Sequence, residues 1–171
     1  HIDTLSDISD AFSSFVSMPA QKKELSDINA IIRRTIAVFD LPYIQFESSQ
    51  ETIELCVDRN QMNRMLTNLL KNALYATDST PTPLIEVTSF TEGNYAYIVV
   101  KDNGSGVPIE LQERIFEPKF TTKNTAGSGL GLAMVKHIVS AHAGEITLSS
   151  EVGKGASFTI KLSGVRQNTN L

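Results

Sequence analysis

The run Asp58-Arg-Asn-Gln-Met-Asn-Arg-Met-Leu-Thr-Asn68-Leu-Leu-Lys-Asn72-Ala-Leu-Tyr75-Ala76 reads as one long helix, and the rest of the chain can be ordered around it. Met62, Met65, Leu66, Leu69, Leu70 and Ala73 recur at spacings of three and four, the apolar face of an amphipathic helix. Asp58 can cap the free backbone N–H groups of the first turn, and Gln61 three residues later predicts a capping box. Asp78-Ser-Thr-Pro81 ends the run. Asn68 and Asn72 stand four apart, so they share a face beside the apolar stripe. Asparagine is a poor helix former, and two on one face mark either a solvated edge or a ligand. An amide oxygen is a hard, neutral donor suited to a Mg2+ ion that shares itself with phosphates.

Working outward, Asp27 is a candidate N-cap for a helix carrying Ile28, Ile31, Ile32, Thr35 and Phe39, stopped at Leu41-Pro42. Strands are predicted over 44–47 and 52–57, then a hairpin of 84–90 and 95–101 across Glu92-Gly93-Asn94. Irregular sequence runs from Asp102 to Gly127, a helix takes 130–142, and strands follow at 145–149 and 157–162. These elements imply two layers: a mixed, mainly antiparallel sheet with helices on one face, an α/β sandwich.

Three further segments carry candidate chemistry. Asp102-Asn-Gly104-Ser-Gly106 follows a strand; by itself it is common turn sequence, but a carboxylate there can accept from an exocyclic amine while glycines allow close approach. Phe116-Glu-Pro-Lys-Phe120-Thr-Thr-Lys123 offers two aromatic anchors for a polar loop, with Thr121, Thr122 and Lys123 in it, predicted to order on ligand binding. Gly127-Ser128-Gly129-Leu130-Gly131-Leu132 opens a helix. Backbone N–H groups at a helix start suit phosphate oxygens, each contact adding ~0.3–1 kcal/mol from the dipole. No Gly-Lys-Ser/Thr follows, and the glycine spacing is not that of a dinucleotide fingerprint.

In this order the four segments resemble the ATP-binding domain of sensor histidine kinases, in the wider group that includes gyrase B, MutL and a heat-shock chaperone family. The resemblance covers about residues 27–163 and implies a Bergerat-type ATP-binding fold. It implies ATP and Mg2+ as cofactors, Asn72 as the metal ligand and Asn68 as support for the phosphates or the metal's waters. It places Tyr75, Ala76, Asp102, Gly104, Gly106, Val107, Phe120, Thr121, Thr122, Lys123, Gly127, Ser128, Gly129, Leu130, Gly131, Leu132 and Ser157 at the nucleotide. The same resemblance implies that Asp102 reads the adenine amine, that Ala76 floors the base pocket, and that Ser157 completes the adenine network through water. Where relatives carry a basic residue three after the metal asparagine this chain has Tyr75, leaving charge compensation to Lys71, Lys119 or Lys123.

In gyrase-like ATPases a glutamate four residues before the metal asparagine activates water; here that place holds Asn68, which cannot accept a proton. The resemblance therefore implies a two-component kinase whose γ-phosphoryl goes to a histidine, then to a response-regulator aspartate: a transferase in signal transduction and phosphorelay. A gyrase- or MutL-type ATPase and an anti-sigma-type serine kinase are the alternative readings. The nitrogen-regulation type is suggested by Phe12-Ser-Ser-Phe15-Val-Ser-Met18-Pro19 together with Ile115-Phe116-Glu-Pro-Lys-Phe-Thr-Thr-Lys. No catalytic residue is placed in the chain itself. Among its 3 histidines, His1 lacks the acidic residue and proline of a phosphoacceptor box, and His142-Ala-Gly144 reads as a helix end.

Ile2, Leu5, Ile8, Phe12, Phe15 and Val16 make a stripe that fits the end of a dimerisation or phosphoacceptor helix over 1–18, with a linker at 19–26, the ATP-binding domain at 27–163 and a disordered tail at 164–171. The chain begins inside what reads as a helix, which predicts a fragment of a longer, homodimeric parent. Its expected partners are that parent's dimerisation domain and a response regulator. A net charge of −4 without a basic stripe argues against nucleic acid. No apolar run approaches the roughly 20 residues of a membrane span. The lone Cys56, in an alternating strand run, fits a reducing cytoplasm; a membrane anchor in the parent stays open.

Overall fold

The computed structural model describes residues 18–118 and 130–167. Helix α1 (Ile28–Phe39) starts at Asp27, whose carboxylate accepts from Asn29 N–H and from Ile53 N–H. It ends at Asp40, in the left-handed region at φ 50°. Helix α2 (Arg59–Ala76) starts at Asp58 and buries Met62, Met65, Leu66, Leu69, Leu70 and Ala73, the stripe read from the sequence. Each is sealed in the core, so a truncation such as Leu69→Ala costs about 2–5 kcal/mol.

Among the described residues, seven strands make two sheets. The main sheet has the order β2 (Ile44–Ser48), β4 (Ile85–Glu92), β5 (Tyr95–Asp102), β7 (Gly155–Ser163), β6 (Glu145–Glu151). Only β2 and β4 run parallel, so the sheet is mixed and mainly antiparallel as expected. A separate ribbon pairs β1 (Glu24–Asp27) with β3 (Glu54–Val57). The hairpin of β4 and β5 turns over two residues at Gly93, φ 60°. One face of the sheet, with Ile85, Val87, Ile98, Val100, Phe158 and Ile160, is buried in the same core as α1, α2 and helix α4 (Gly131–Ala141). The other carries exposed Glu86 and Lys101 and the stacked rings of Phe90 and Tyr97, 4.8 Å apart.

Several expectations need correction. The capping box at Asp58 is not closed by Gln61. Asp58 Oδ1 does accept from Gln61 N–H at 3.0 Å, but Asp58 N–H donates to His142 Nε2 at 3.0 Å, and the Gln61 side chain instead accepts from Gln21. Since Nε2 accepts, the proton of neutral His142 sits on Nδ1, 2.8 Å from the Ile138 carbonyl it donates to. The histidine read as a helix end is that and also the cap of a helix 84 residues away in sequence.

The stretch 19–26 is not all linker, because β1 is hydrogen-bonded into the ribbon and the preceding Lys22 N–H donates to Asp58 Oδ2 at 2.8 Å. Nor does the tail leave the domain at 164: Gly164 and Val165 N–H donate to Asn94 O, Arg166 N–H donates to Glu54 O, and Val165 is buried. Among the described residues of the irregular segment after Asp102 there is one short helix, α3 (Ile109–Gln112). The helix expected over 3–17 and residues 168–171 lie outside the described residues.

Candidate functional site

Helix α2 is the spine of the site. Near its C-terminal end the Ala76 carbonyl accepts from Ser105 N–H at 3.1 Å, which brings the Asp102–Gly106 loop onto it. Two turns earlier, the amide NH2 of Asn68 lies 3.4 Å from the Gly131 carbonyl at the start of α4. Segments 34 and 63 residues apart in sequence from Asn68 thus meet around one helix face. Asn68 and Asn72 are both half-buried on that face, and Tyr75 is 52% exposed beyond them.

Asp102 is the last residue of β5 and only 3% exposed. Burial raises its carboxyl pKa above the usual value; backbone N–H groups of Gly104 and Ala156 offset part of that. Its Oδ1 accepts from Gly104 N–H at 2.8 Å. Asn103 then staples the loop to the segment leading into β4, accepting from Leu84 N–H at 2.9 Å and donating to Thr82 O at 2.8 Å. A carboxylate buried with so few donors is suited to accept from an incoming amine.

The glycines of this loop have a different reason from the one expected. A Cβ at Gly104 would overlap the Ala76 carbonyl, and one at Gly106 (φ 74°) would overlap the Glu151 carbonyl. They permit close packing of the chain on itself, and the loop follows from that.

Ser157 does not join Asp102. The register pairs Asp102 with Ala156, while Ser157 pairs with Lys101 and Ser149 on the opposite face of the sheet. The hydroxyl on the same face as Asp102 is Ser150, opposite Ala156. Ser150 Oγ accepts from Val107 N–H and donates to Gly155 O, both at 2.8 Å. The alternation Ile146, Leu148, Ser150 points all three inward, so the strand pattern held the signal that singles out Ser150. Gln112, which donates to Val107 O, had no such signal.

The ring of Phe116 meets Phe158 edge-on at 6.1 Å between centroids, with Lys136 Nζ 5.8 Å from its centre, so it anchors the chain as expected. At the start of α4, Leu130 is buried, Leu132 packs on the core, and a Cβ at Gly131 would meet open space. Lys119, Phe120, Thr121, Thr122, Lys123, Gly127, Ser128 and Gly129 lie outside the described residues.

A family model described as "Histidine kinase-, DNA gyrase B-, and HSP90-like ATPase" matches residues 57–165. The chain belongs to this family. The match begins just before the Asp58 cap and ends at the buried Val165, so it spans α2, the Asp102–Gly106 loop and the start of α4. The chain is similar to the nitrogen regulation protein NtrY of Azorhizobium caulinodans, at 36% identity over 166 residues, covering 91% of this chain and 21% of NtrY. Among solved structures, the catalytic domain of histidine kinase ThkA aligns with TM-score 0.74 and 29% identity, over 84% of this chain and 96% of that one. ThkA in complex with response regulator TrrA aligns with TM-score 0.77 and 25% identity, over 95% and 48%. The chain spans 21–27% of the length of the curated relatives it matches first. The expected fold and the resemblance to sensor-kinase catalytic domains are therefore borne out. Among the described residues, no helix is long and apolar enough to cross a membrane.

Proposed function

We propose that this chain is the Mg-ATP-binding catalytic domain of a nitrogen-regulation-type sensor kinase, donating the γ-phosphoryl of ATP to a histidine outside it, for relay to a response-regulator aspartate. The observation that carries this is Asn68. It stands half-buried on the helix that gathers the site, with its NH2 engaged by the Gly131 carbonyl. An amide so placed can steady phosphates or metal-bound water but cannot take a proton from water, so it favours transfer over hydrolysis.

The donor set fits magnesium. Asn72 presents an amide one turn beyond Asn68 on the same helix face, a neutral oxygen donor of the kind magnesium takes. Among the described residues no group of three or more His, Cys, Asp or Glu competes for a metal. Bound magnesium would supply charge neutralisation between phosphates; Asp102, with Ala76 beneath, would select adenine, and the backbone at Gly131 would face phosphate.

Radiolabelled ATP tests the reading. Alone, the chain should hydrolyse ATP slowly and acquire no acid-labile label. Mixed with a separate fragment bearing a phosphoacceptor-histidine helix, it should label that fragment in trans, weakly for want of tethering. Fast hydrolysis without transfer would point to the gyrase- or MutL-type ATPase, and acid-stable label on a partner to a serine kinase.

A further inference from the structure

We infer that Ser150 and Gln112 are positioning residues for nucleotide binding: together they clamp the backbone of Val107 and so set the wall of the base pocket that follows Asp102. The inference rests on the reading of 102–107 as the base-binding loop.

Both backbone polar groups of Val107 are held by side chains. Its N–H donates to Ser150 Oγ at 2.8 Å, and its carbonyl accepts from Gln112 Nε2 at 2.9 Å. The same Gln112 amide donates to the Ser150 carbonyl at 3.2 Å, and the Ser150 hydroxyl donates to Gly155 O. One hydroxyl and one amide thus join the loop, the end of β6, the start of β7 and α3. Two backbone contacts run alongside: Gly153 N–H donates to Ser105 O at 2.8 Å, and Gly106 packs on the Glu151 carbonyl with no room for a methyl group.

The consequence is a division of support. Asp102 belongs to β5, where the sheet ladder fixes it against Ala156. Val107 lies five residues on, past two glycines, and takes its position from the end of β6 instead. The placement of the Val107 backbone relative to the carboxylate that selects the base is therefore set by Ser150 and Gln112. A loop with solvent-bonded backbone would let that placement vary, and the cost would appear in affinity rather than in global stability.

Calorimetric titration of the 171-residue chain with ATP and ADP tests this. Ser150→Ala and Gln112→Ala should each weaken both nucleotides by the same factor, about fivefold for one lost neutral hydrogen bond. Ser150→Thr, which keeps the hydroxyl, should bind like the parent, and amide exchange at Val107 should quicken in both alanine variants alone. Alanine variants that bind as tightly as the parent, or a threonine variant as weak as the alanine one, would overturn the clamp. If the unaltered chain binds neither nucleotide, the base-loop reading falls first and takes the clamp with it.

Discussion

Asp58 and Asp102 are both buried carboxylates, 7% and 3% exposed, yet their surroundings push them in opposite directions. Burial raises both. At Asp58, backbone N–H groups of Lys22, Gln61 and Asn60, with the nearby His142, outweigh that and leave the pKa below its usual value. At Asp102, the N–H groups of Gly104 and Ala156 do not, and the pKa stays raised. The first carboxylate is satisfied by the fold, holding the start of α2 and the incoming chain together. The second is held by two backbone N–H groups only and keeps lone pairs a ligand amine could meet, in the loop that packs on Ala76. A buried acid whose pKa the fold holds down marks structure, and one whose pKa burial leaves raised is a candidate place for a ligand.

The largest expected effect separates the two sites directly. Asp102→Asn should weaken ATP binding by roughly 1.5–3 kcal/mol, since a charge-assisted acceptor is lost, and should remove the preference for ATP over GTP. Stability should not fall, because a neutral amide is cheaper to bury. Calorimetry with both nucleotides and a urea melt would decide; unchanged affinity would leave Asp102 no different in kind from Asp58.

A smaller effect with the reverse profile is expected at the other site. Asp58→Ala should cost about 1–2 kcal/mol of stability through the lost helix cap while leaving ATP affinity unchanged. Equal losses in stability and affinity would erase the contrast between the two acids.

The smallest effect is in pH dependence. Burial, reinforced by Lys23, lowers the His142 pKa below 6.5, against the opposing pull of its bond to the Ile138 carbonyl and of Asp58. Its contribution to stability is therefore whole above 6.5 and is lost as pH falls through the lowered value. Asp58, also lowered, adds a second loss as pH falls from 3.8 through its folded value. Asp102 has the opposite sign: its raised pKa makes its contribution whole below 3.8 and lost as pH rises through the folded value. Melting temperatures between pH 8 and 5 should decline below 6.5, and His142→Gln should abolish that decline. A decline that persists in the variant would assign the titration to another group.

Much of the site was legible because its parts are local. The spacing of Asn68 and Asn72, the position of Asp102 at a strand end and the start of α4 at Gly131 each depend on residues a few places apart. Ser157 shows where that reading stops. A strand alternates faces with every residue, so an assignment one position off moves a side chain through the sheet, and only the pairing of Asp102 with Ala156 reveals it. The reason for Gly104 and Gly106 was hidden for a related cause: the carbonyls they pack against, at Ala76 and Glu151, are remote in sequence.

The sequence by itself determined what neighbouring residues can decide: the helices begun at Asp27 and Asp58, their apolar faces, the hairpin around Gly93, and the four segments that identify the family. Tertiary structure alone decided which distant groups complete them. It gave Asp58 N–H to His142 rather than to Gln61, drew β1 and residues 164–167 into the folded unit, and put Ser150 where Ser157 was expected. The physical reason is the same throughout. Each buried donor must find an acceptor, propensity and spacing constrain only partners within a turn or two, and the remaining pairings exist only once the sheet and helices have closed on one another.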